Sequence, residues 1–302
     1  MKTTAVALLL LFAPLCLADS EPELLWSSYI GGSGLDNVNS IDGATSIDGP
    51  NSNPFVVDSQ GNAFVVTTTD STNLPSVDAF YDGVACCYIT KTSPSGQLLW
   101  ASYLPSYYAM HMLTDSEDNL YILGRTSAAD FPVVNAFQSA LASEPYDPAH
   151  PELETCDAYV MKISPDGQIL YSTYLGGSRD ETIVHPCLDS GGNLIVAGWT
   201  ASDDFPVLNA YDGEFNPLSQ GFVAKIAPGG QLIWSTYIGG REGWGGGEVT
   251  TVACDPAGRI YIASRTEDIG LPIPGGYTNC GETYLARLDQ SGVVTWATYC
   301  SS

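Results

Sequence analysis

The chain has 302 residues, of which 44% are hydrophobic and 15% charged, so it can fill a core and is not a disordered polymer. Its 31 Gly and 19 Pro disfavour long helices and favour short strands joined by turns, which predicts an all-β fold. The 10 Lys and Arg stand against 34 Asp and Glu, and a net charge of −24 would repel nucleic-acid phosphates. We therefore expect no nucleic-acid partner.

The first 18 residues have the pattern of an export signal. Lys2 precedes an apolar run from Ala5 to Phe12, and the segment ends in small side chains at Ala18, after which we expect cleavage. A membrane-spanning anchor would need roughly 20 apolar residues, and Pro14 interrupts this run. We expect a protein without a membrane span that is secreted to the cell exterior, the cell surface or the periplasm.

The cysteine count leaves at least one thiol of the exported protein without an intrachain partner. Loss of Cys16 with the signal segment leaves an odd number of cysteines, and the absence of C-x-x-C argues against a redox motif or structural zinc. Cys86 and Cys87 are adjacent, and separate pairings or one buried thiol are favoured over a bond between them. Cys280 and Cys300 flank a turn almost symmetrically, which predicts a disulfide that contributes about 3 kcal/mol.

A strand-like segment recurs five times along the chain. LLWSSYIGG begins at residue 24, LLWASYL at 98, ILYSTYLGG at 169, LIWSTYIGG at 232 and VTWATYC at 294. Apolar and small polar residues alternate within each copy, as in a half-buried strand. The recurrent aromatic position predicts packing between repeats rather than a sugar-binding platform. It is occupied by Trp26, Trp100, Tyr171, Trp234 and Trp296.

Other parts recur in a fixed order between these segments. An apolar strand ends in a D-x-x-x-N type turn, with the aspartates Asp58, Asp115 and Asp189 and the variant Asp255. A second strand and an apolar-Pro pair follow, and a third strand then carries one basic residue: Lys91, Lys162, Lys225 or Arg287. A tight turn leads into the aromatic strand. We therefore predict four-stranded repeats at about 53–104, 105–175, 176–238 and 239–300, preceded by a strand at 24–30.

Four-stranded units of this size cannot bury both faces alone, and radial stacking of such units is the β-propeller solution. We predict about four blades plus one leading outer strand, as a whole propeller or part of a larger one. The leading strand lacks the three inner strands of its blade. We favour C-terminal truncation over closure of four blades with a redundant strand, or over pairing of strand 24–30 with another chain.

Four short motifs recur in these repeats: Y-[LI]-G-G, D-x-x-G-N, T-x-x-x-x-F-P and F-V-A-K-[IL]. The third repeat carries them at 174–177, 189–193, 200–206 and 222–226. These motifs resemble the SBBP repeat, named for seven-bladed β-propellers, over essentially all of the chain after the signal segment. The first repeat and an insertion at about 139–155 depart most from the pattern. The resemblance implies a propeller fold and a role as a module in exported proteins.

The sharpest chemical hint is a pair of histidines. His111 and His185 each stand four residues before the turn aspartate, so adjacent blades should present them at one level of the central channel. Imidazole and carboxylate suit zinc or copper, and Glu181 or Glu248 could complete such a site. No ring of ligands is complete, because the equivalent positions in the other blades are Pro54 and Thr251.

Two loops are further candidates for ligand contact. Trp244 lies in the glycine-rich connection 239–247 and joins His111 and His185 as a candidate ligand-binding residue. Asp42 and Asp48 lie in the densest acidic loop, where oxygen ligands could bind calcium. Turn chemistry explains the repeated acidic turns without a metal, so the sequence indicates no cofactor.

No catalytic motif is present: G-x-S-x-G, H-E-x-x-H and the P-loop lysine motif are all absent. We expect a secreted noncatalytic binding or scaffold module for a glycan or protein ligand. The alternatives are an exported hydrolase or lyase on a propeller scaffold, and a structural unit that associates by strand exchange through residues 24–30.

Overall fold

The computed structural model describes residues 7–8, 27–37, 54–143, 155–215, 220–239, 248–265, 271–276 and 283–300. Every regular element within these ranges is a β-strand. Two short strands near the start, β1 (Ala7–Leu8) and β2 (Ser28–Tyr29), pair with each other. The other strands form four antiparallel sheets that follow one another along the chain, here called blades 1 to 4.

Each blade runs from an innermost strand outwards in chain order. Blade 1 contains β3 (Asp36–Asn37), β4 (Phe55–Val57), β5 (Ala63–Thr69), β6 (Cys87–Thr92) and β7 (Leu98–Leu104). Blade 2 contains β8 (Tyr108–Thr114), β9 (Leu120–Thr126), β10 (Asp157–Ile163) and β11 (Ile169–Leu175). Blade 3 contains β12 (Glu181–Leu188), β13 (Leu194–Thr200), β14 (Gln220–Ile226) and β15 (Leu232–Ile238). Blade 4 contains β16 (Glu248–Cys254), β17 (Ile260–Arg265), β18 (Thr283–Leu288) and β19 (Val294–Cys300).

The central blades are packed on both faces. All seven residues of β10 are buried, because successive side chains of a strand point to opposite faces and both faces are covered. Tyr159 belongs to the core shared with blade 1, whereas its neighbour Val160 belongs to the core shared with blade 3. This face-to-face stacking of four-stranded meanders is a β-propeller architecture, and the all-β propeller prediction is confirmed.

Three core clusters join blade 1 to 2, blade 2 to 3, and blade 3 to 4. None of the clusters formed by the described residues joins blade 4 to blade 1. The far face of blade 4 is partly uncovered: Tyr261 is 36% exposed, whereas Ile195 at the equivalent position of blade 3 is fully buried. The described blades therefore form an open series.

The innermost position of blade 1 is shared by two short strands. Asp36 pairs with Thr69 at one end of β5, and Phe55 pairs with Val65 nearer its other end. The chain between them, residues 38–53, lies outside the described ranges. The repeat whose sequence departs most from the pattern thus still supplies all four strand positions.

The repeated aspartates form the predicted turns. In blade 3, Asp189 Oδ1 accepts hydrogen bonds from the backbone nitrogens of Gly191 at 2.8 Å and Asn193 at 2.9 Å. Gly192 takes a φ of +74°, a conformation that favours glycine. The same side-chain-to-backbone pattern occurs at Asp58, Asp115 and Asp255.

Candidate functional site

The basic residue of each third strand forms a buried ion pair with the turn aspartate of its own blade in blades 1 to 3. The distances between Nζ and Oδ2 are 3.1 Å for Lys91–Asp58, 3.0 Å for Lys162–Asp115 and 2.9 Å for Lys225–Asp189. Burial by itself raises the pKa of Asp189, but hydrogen bonds from Lys225 and Asn193 outweigh it and hold that pKa below its usual value. The sequence repeats showed both positions but not their pairing.

The same amino groups reach the following blade. Lys91 Nζ donates to Pro165 O at 3.0 Å, Lys162 Nζ to Pro228 O at 3.5 Å, and Lys225 Nζ to the side-chain oxygen of Gln290. Each acceptor lies in the turn between the third and fourth strands of the next blade. A single buried cation therefore satisfies acceptors in two blades, which is a structural role.

The aromatic residues of the outer strands pack against the following blade, as the repeat predicted. Trp100 and Trp234 are each 2% exposed and Tyr171 is 1% exposed. Trp234 lies over the turn of blade 4, where a Cβ on Gly292 would come within 2.9 Å of the indole. Its Nε1 donates to Gln290 O at 2.9 Å. Trp296 in blade 4 is only half-buried, and Trp26 lies outside the described residues.

A buried carboxylate closes the Gly-Gly connection between blades 2 and 3. Glu181 is fully buried and accepts from Gly177 N at 3.0 Å and from Thr200 Oγ1 at 2.6 Å. The same contacts occur where the chain enters blade 1: Asp36 accepts from Gly32 N at 2.7 Å and from Thr69 Oγ1 at 2.6 Å. Two of the three copies of Y-[LI]-G-G therefore have a partner that the sequence analysis missed: an acid four residues after the second glycine.

Glu181 and Asp157 are fully buried next to Gly176, where a Cβ would lie 2.4 Å from Glu181 Oε2 and 2.7 Å from Asp157 Cγ. Burial raises the pKa of Glu181 to about 8, and the charge of Asp157 contributes to the rise. A carboxyl group with such a pKa suits general acid catalysis. This one is enclosed and hydrogen-bonded within the connection, so its evident role is structural.

The structure brings His111 and His185 together from adjacent blades, with ring centroids 6.0 Å apart. Burial, together with the neighbouring His185, lowers the pKa of His111 to about 4. Glu181 does not join them, because roughly 13 Å of extended strand separates it from His185. Glu248 is exposed at the start of β16. Within the described ranges, no group of three His, Cys, Asp or Glu side chains is placed to hold a metal ion.

A disulfide joins the innermost strands of blades 3 and 4. Cys187 of β12 and Cys254 of β16 are bonded, with their Cα atoms 6.2 Å apart and a sequence separation of 67. A bond that closes a loop of this length contributes about 4 kcal/mol in the chain-entropy account. The sequence analysis did not single out this pair, because it joins different positions of two repeats.

The remaining cysteines that the sequence analysis discussed are Cys86, Cys87, Cys280 and Cys300. Cys86 is exposed, whereas Cys87 is buried and its thiol donates to Ser106 O at 3.2 Å. Cys300 ends β19, opposite Thr283. Cys280 lies outside the described residues, so the Cys280–Cys300 disulfide stays a prediction.

A groove with a volume of about 690 Å³ opens between blades 2 and 3 on the outer side of the stack. It is lined by residues 135–137 of blade 2 and residues 206–208 and 229–232 of blade 3. All ten lining residues are uncharged, although the chain carries a net charge of −24. Phe137, Val207 and Leu208 provide apolar surface, and Asn135 and Gln231 provide amide groups.

Two walls of this groove come from a repeated loop that covers the outer edge of blades 1 to 3. Val134 forms an antiparallel bridge with Ser172, and Leu208 forms one with Ser235. The asparagine that follows each of them takes a left-handed φ and donates to an outer-strand carbonyl at 3.0 Å: Asn135 to Leu170, and Asn209 to Ile233. The sequence signal [VL]-[ND]-A-[FY], at 77–80, 134–137 and 208–211, could have identified this edge cover.

Three predicted contact residues are not placed by the structure. Trp244, Asp42 and Asp48 lie outside the described residues and stay predictions, as does most of strand 24–30. No helix within the described ranges is long and apolar enough to cross a membrane.

Fold and site together define a β-propeller module. No family model matches the chain. It is 22% identical over 240 residues to an uncharacterized WD repeat-containing protein, L264, of Acanthamoeba polyphaga mimivirus. That match covers 73% of this chain and 17% of the viral protein, so the chain spans less than a fifth of the length of its curated relative.

Among solved structures, a protein of unknown function from Bacteroides caccae overlaps 92% of this chain and 71% of its own, with 12% identity and a TM-score of 0.40. The gluconolactonase XC5397 from Xanthomonas campestris overlaps 83% of this chain and 62% of its own, with 14% identity and a TM-score of 0.37. The Dos1 propeller overlaps 82% and 62%, with 9% identity and a TM-score of 0.31.

Proposed function

We propose that this protein is a secreted, noncatalytic propeller module that binds a protein ligand in the groove between blades 2 and 3. The observation that carries the proposal is the uncharged lining of that groove on an otherwise strongly acidic chain. Its volume of about 690 Å³ is within the ~300–1,000 Å³ range of ordinary ligand sites.

The lining suits an extended, neutral polypeptide segment. Phe137 and Leu208 offer apolar contact, and Leu208 is 42% exposed before any ligand binds. Asn135 and Gln231 offer amide groups for a peptide backbone, although Asn135 already donates to Leu170 O and Gln231 to Gly229 O. A charged ligand would lose hydration in this groove without gaining a partner charge.

Two features support the other parts of the proposal. The Cys187–Cys254 disulfide is typical of oxidising compartments, in agreement with the export pattern of the first 18 residues. The buried charged groups described above are engaged in ion pairs or loop closure, which favours a noncatalytic role.

The test is binding of the purified protein to arrays of extracellular matrix proteins and glycans, with calcium and with EDTA. We expect a protein hit in both conditions, and a loss of at least about tenfold in affinity for Leu208→Asp, because the new charge must be desolvated. The matched control is Val84→Asp in the corresponding loop of blade 1, where the side chain is 55% exposed. Equal binding by Leu208→Asp and the wild type, hits on glycans alone, or no hit would contradict the proposal.

A structural assembly unit is the second candidate, favoured by the uncovered face of blade 4. Tyr261 is 36% exposed and Val293 is 39% exposed on that blade. Sedimentation velocity tests this function: self-association that Tyr261→Glu abolishes would support it. A strictly monomeric protein over the accessible concentrations would exclude self-assembly.

A further inference from the structure

His111 and His185 occupy the same position of adjacent inner strands. Each follows a bulge in the pairing of its strand, where the register shifts between residues 109 and 111 and between 183 and 185. The two rings lie 6.0 Å apart, centroid to centroid, and are tilted by 56°. The repeat thus brings two imidazoles from different blades to one place.

This separation matches two ligands of one metal ion. With metal–nitrogen distances of about 2.0–2.1 Å, two imidazoles on one ion place their ring centroids roughly 5 to 6.5 Å apart, from a tetrahedral to a linear arrangement. The observed 6.0 Å lies within that interval. The tilt of 56° excludes a parallel stack of the two rings.

One ring nitrogen of the pair also has no protein partner within the described ranges. His185 Nδ1 is buried and has no hydrogen-bond partner among the described residues, which is costly for a polar atom unless a ligand satisfies it. The backbone carbonyl of Ile183 lies beside the His111 ring, a neighbour of the kind that commonly orients a metal-binding histidine.

We propose that His111 and His185 together bind a late first-row transition-metal ion such as Zn²⁺ or Cu²⁺, with its remaining coordination positions open to solvent or an exogenous ligand. Imidazole suits these ions. Thr251, at the same position of blade 4, is exposed, and the His185 side chain is half-buried. The net charge of −24 raises the local concentration of cations around the site.

The test is calorimetric titration of the purified protein, without a polyhistidine tag, with ZnCl₂. We expect about one zinc ion per chain at this site, and at least about tenfold weaker binding for His185→Gln and for His111→Phe. His150→Gln is the matched histidine control, expected to bind like the wild type. Zinc bound by thiols is common to all variants and cancels in the comparison.

A spectroscopic readout identifies the ligands directly. Cu²⁺ added to the wild type should show electron paramagnetic resonance splitting from two imidazole nitrogens, reduced to one in His185→Gln. Circular dichroism establishes whether each variant folds. If the His111→Phe variant does not fold, the His185→Gln variant alone tests the proposal. We expect that variant to fold, because the His185 side chain is only half-buried. Unchanged zinc affinity in His185→Gln, or a wild type that binds no zinc, would overturn the proposal.

Discussion

Blades 3 and 4 carry the same repeat but use it differently. In blade 3, the Lys225–Asp189 pair is buried. Trp234 packs against the turn of blade 4 and is only 2% exposed. In blade 4, Asp255 pairs instead with Arg259 of its own turn, at 2.6 Å, and the Arg259 side chain is 53% exposed. The difference shows that the basic and aromatic positions of a blade serve the next blade.

The largest expected contrast concerns the two turn aspartates. Asp189→Ala leaves Lys225 as an uncompensated buried charge, and the free energy of unfolding should fall by about 3–5 kcal/mol. Asp255→Ala removes an exposed pair and two backbone hydrogen bonds of an exposed turn, and should cost much less than Asp189→Ala because no buried charge is left without a partner. Urea unfolding followed by circular dichroism measures both. Equal losses would refute the comparison, and Asp189→Ala combined with Lys225→Met should recover part of the loss.

The next largest difference in stability is expected at the aromatic position of the outer strand, between Trp234 in blade 3 and Trp296 in blade 4. Trp234→Ala removes a buried indole and its hydrogen bond to Gln290, and should cost about 4 kcal/mol. Trp296→Ala in blade 4 removes a half-buried indole and should cost about 1 kcal/mol. The same urea titration provides the readout. A larger loss for Trp296→Ala would mean that the far face of blade 4 is covered in solution.

The covalent link between the same two blades should have a smaller effect. The double variant Cys187→Ser/Cys254→Ser should lose about 2–4 kcal/mol, because the unfolded chain regains its freedom. Cys86→Ser, at an exposed thiol, is the control and should be close to neutral. Reductant should lower the unfolding midpoint of the wild type by more than that of the double variant, in which only the predicted Cys280–Cys300 bond could still be reduced; an equal shift in both would contradict the prediction.

Glu181 and Asp189 should affect the stability of the protein in opposite directions as the pH changes. The pKa of Glu181 is raised from 4.5 to about 8, so the folded state retains a proton there that the unfolded state releases. Its contribution to stability should fall as pH rises from 4.5 to 8, by at most about 1.4 kcal/mol per pH unit. Asp189 acts in the opposite direction: its lowered pKa contributes stability above pH 3.8 that is lost on acidification.

Glu181→Gln should therefore remove the decline in stability between pH 5 and 8 while changing stability little near pH 5. Unfolding midpoints in urea across this range measure the slope. A slope that persists in Glu181→Gln would show that another group causes it.

Much of the fold could be predicted from the sequence. The aspartate turns are local, because the side chain of Asp189 bonds the backbone only two and four residues away. Strand alternation is also local, and the recurrence of Trp100, Tyr171 and Trp234 indicated contacts between repeats before any partner was known. For these elements, periodicity in the chain is itself the physical signal.

The site depended on distances that no spacing encodes. His111 and His185 were placed at one level by counting from their turns, yet only the stacking of blades sets their rings 6.0 Å apart. Glu181 stands four residues from His185 and was grouped with it, but an extended strand carries it away to the Gly-Gly connection. The groove between blades 2 and 3 has no sequence signature as a cavity, because its walls come from segments about 70 residues apart.

The sequence by itself determined the four-stranded repeat, its turns and the residues that each blade offers to its neighbours, because these follow from local hydrogen bonding and from the alternation of side chains. The tertiary structure alone decided which of those residues are covered by a neighbouring blade. Lys225 and Trp234 are buried because blade 4 covers them, whereas Tyr261 stays partly exposed because no described blade covers it. Whether such a residue is buried depends on the presence of a neighbouring blade, and a repeat cannot encode that presence in its own residues.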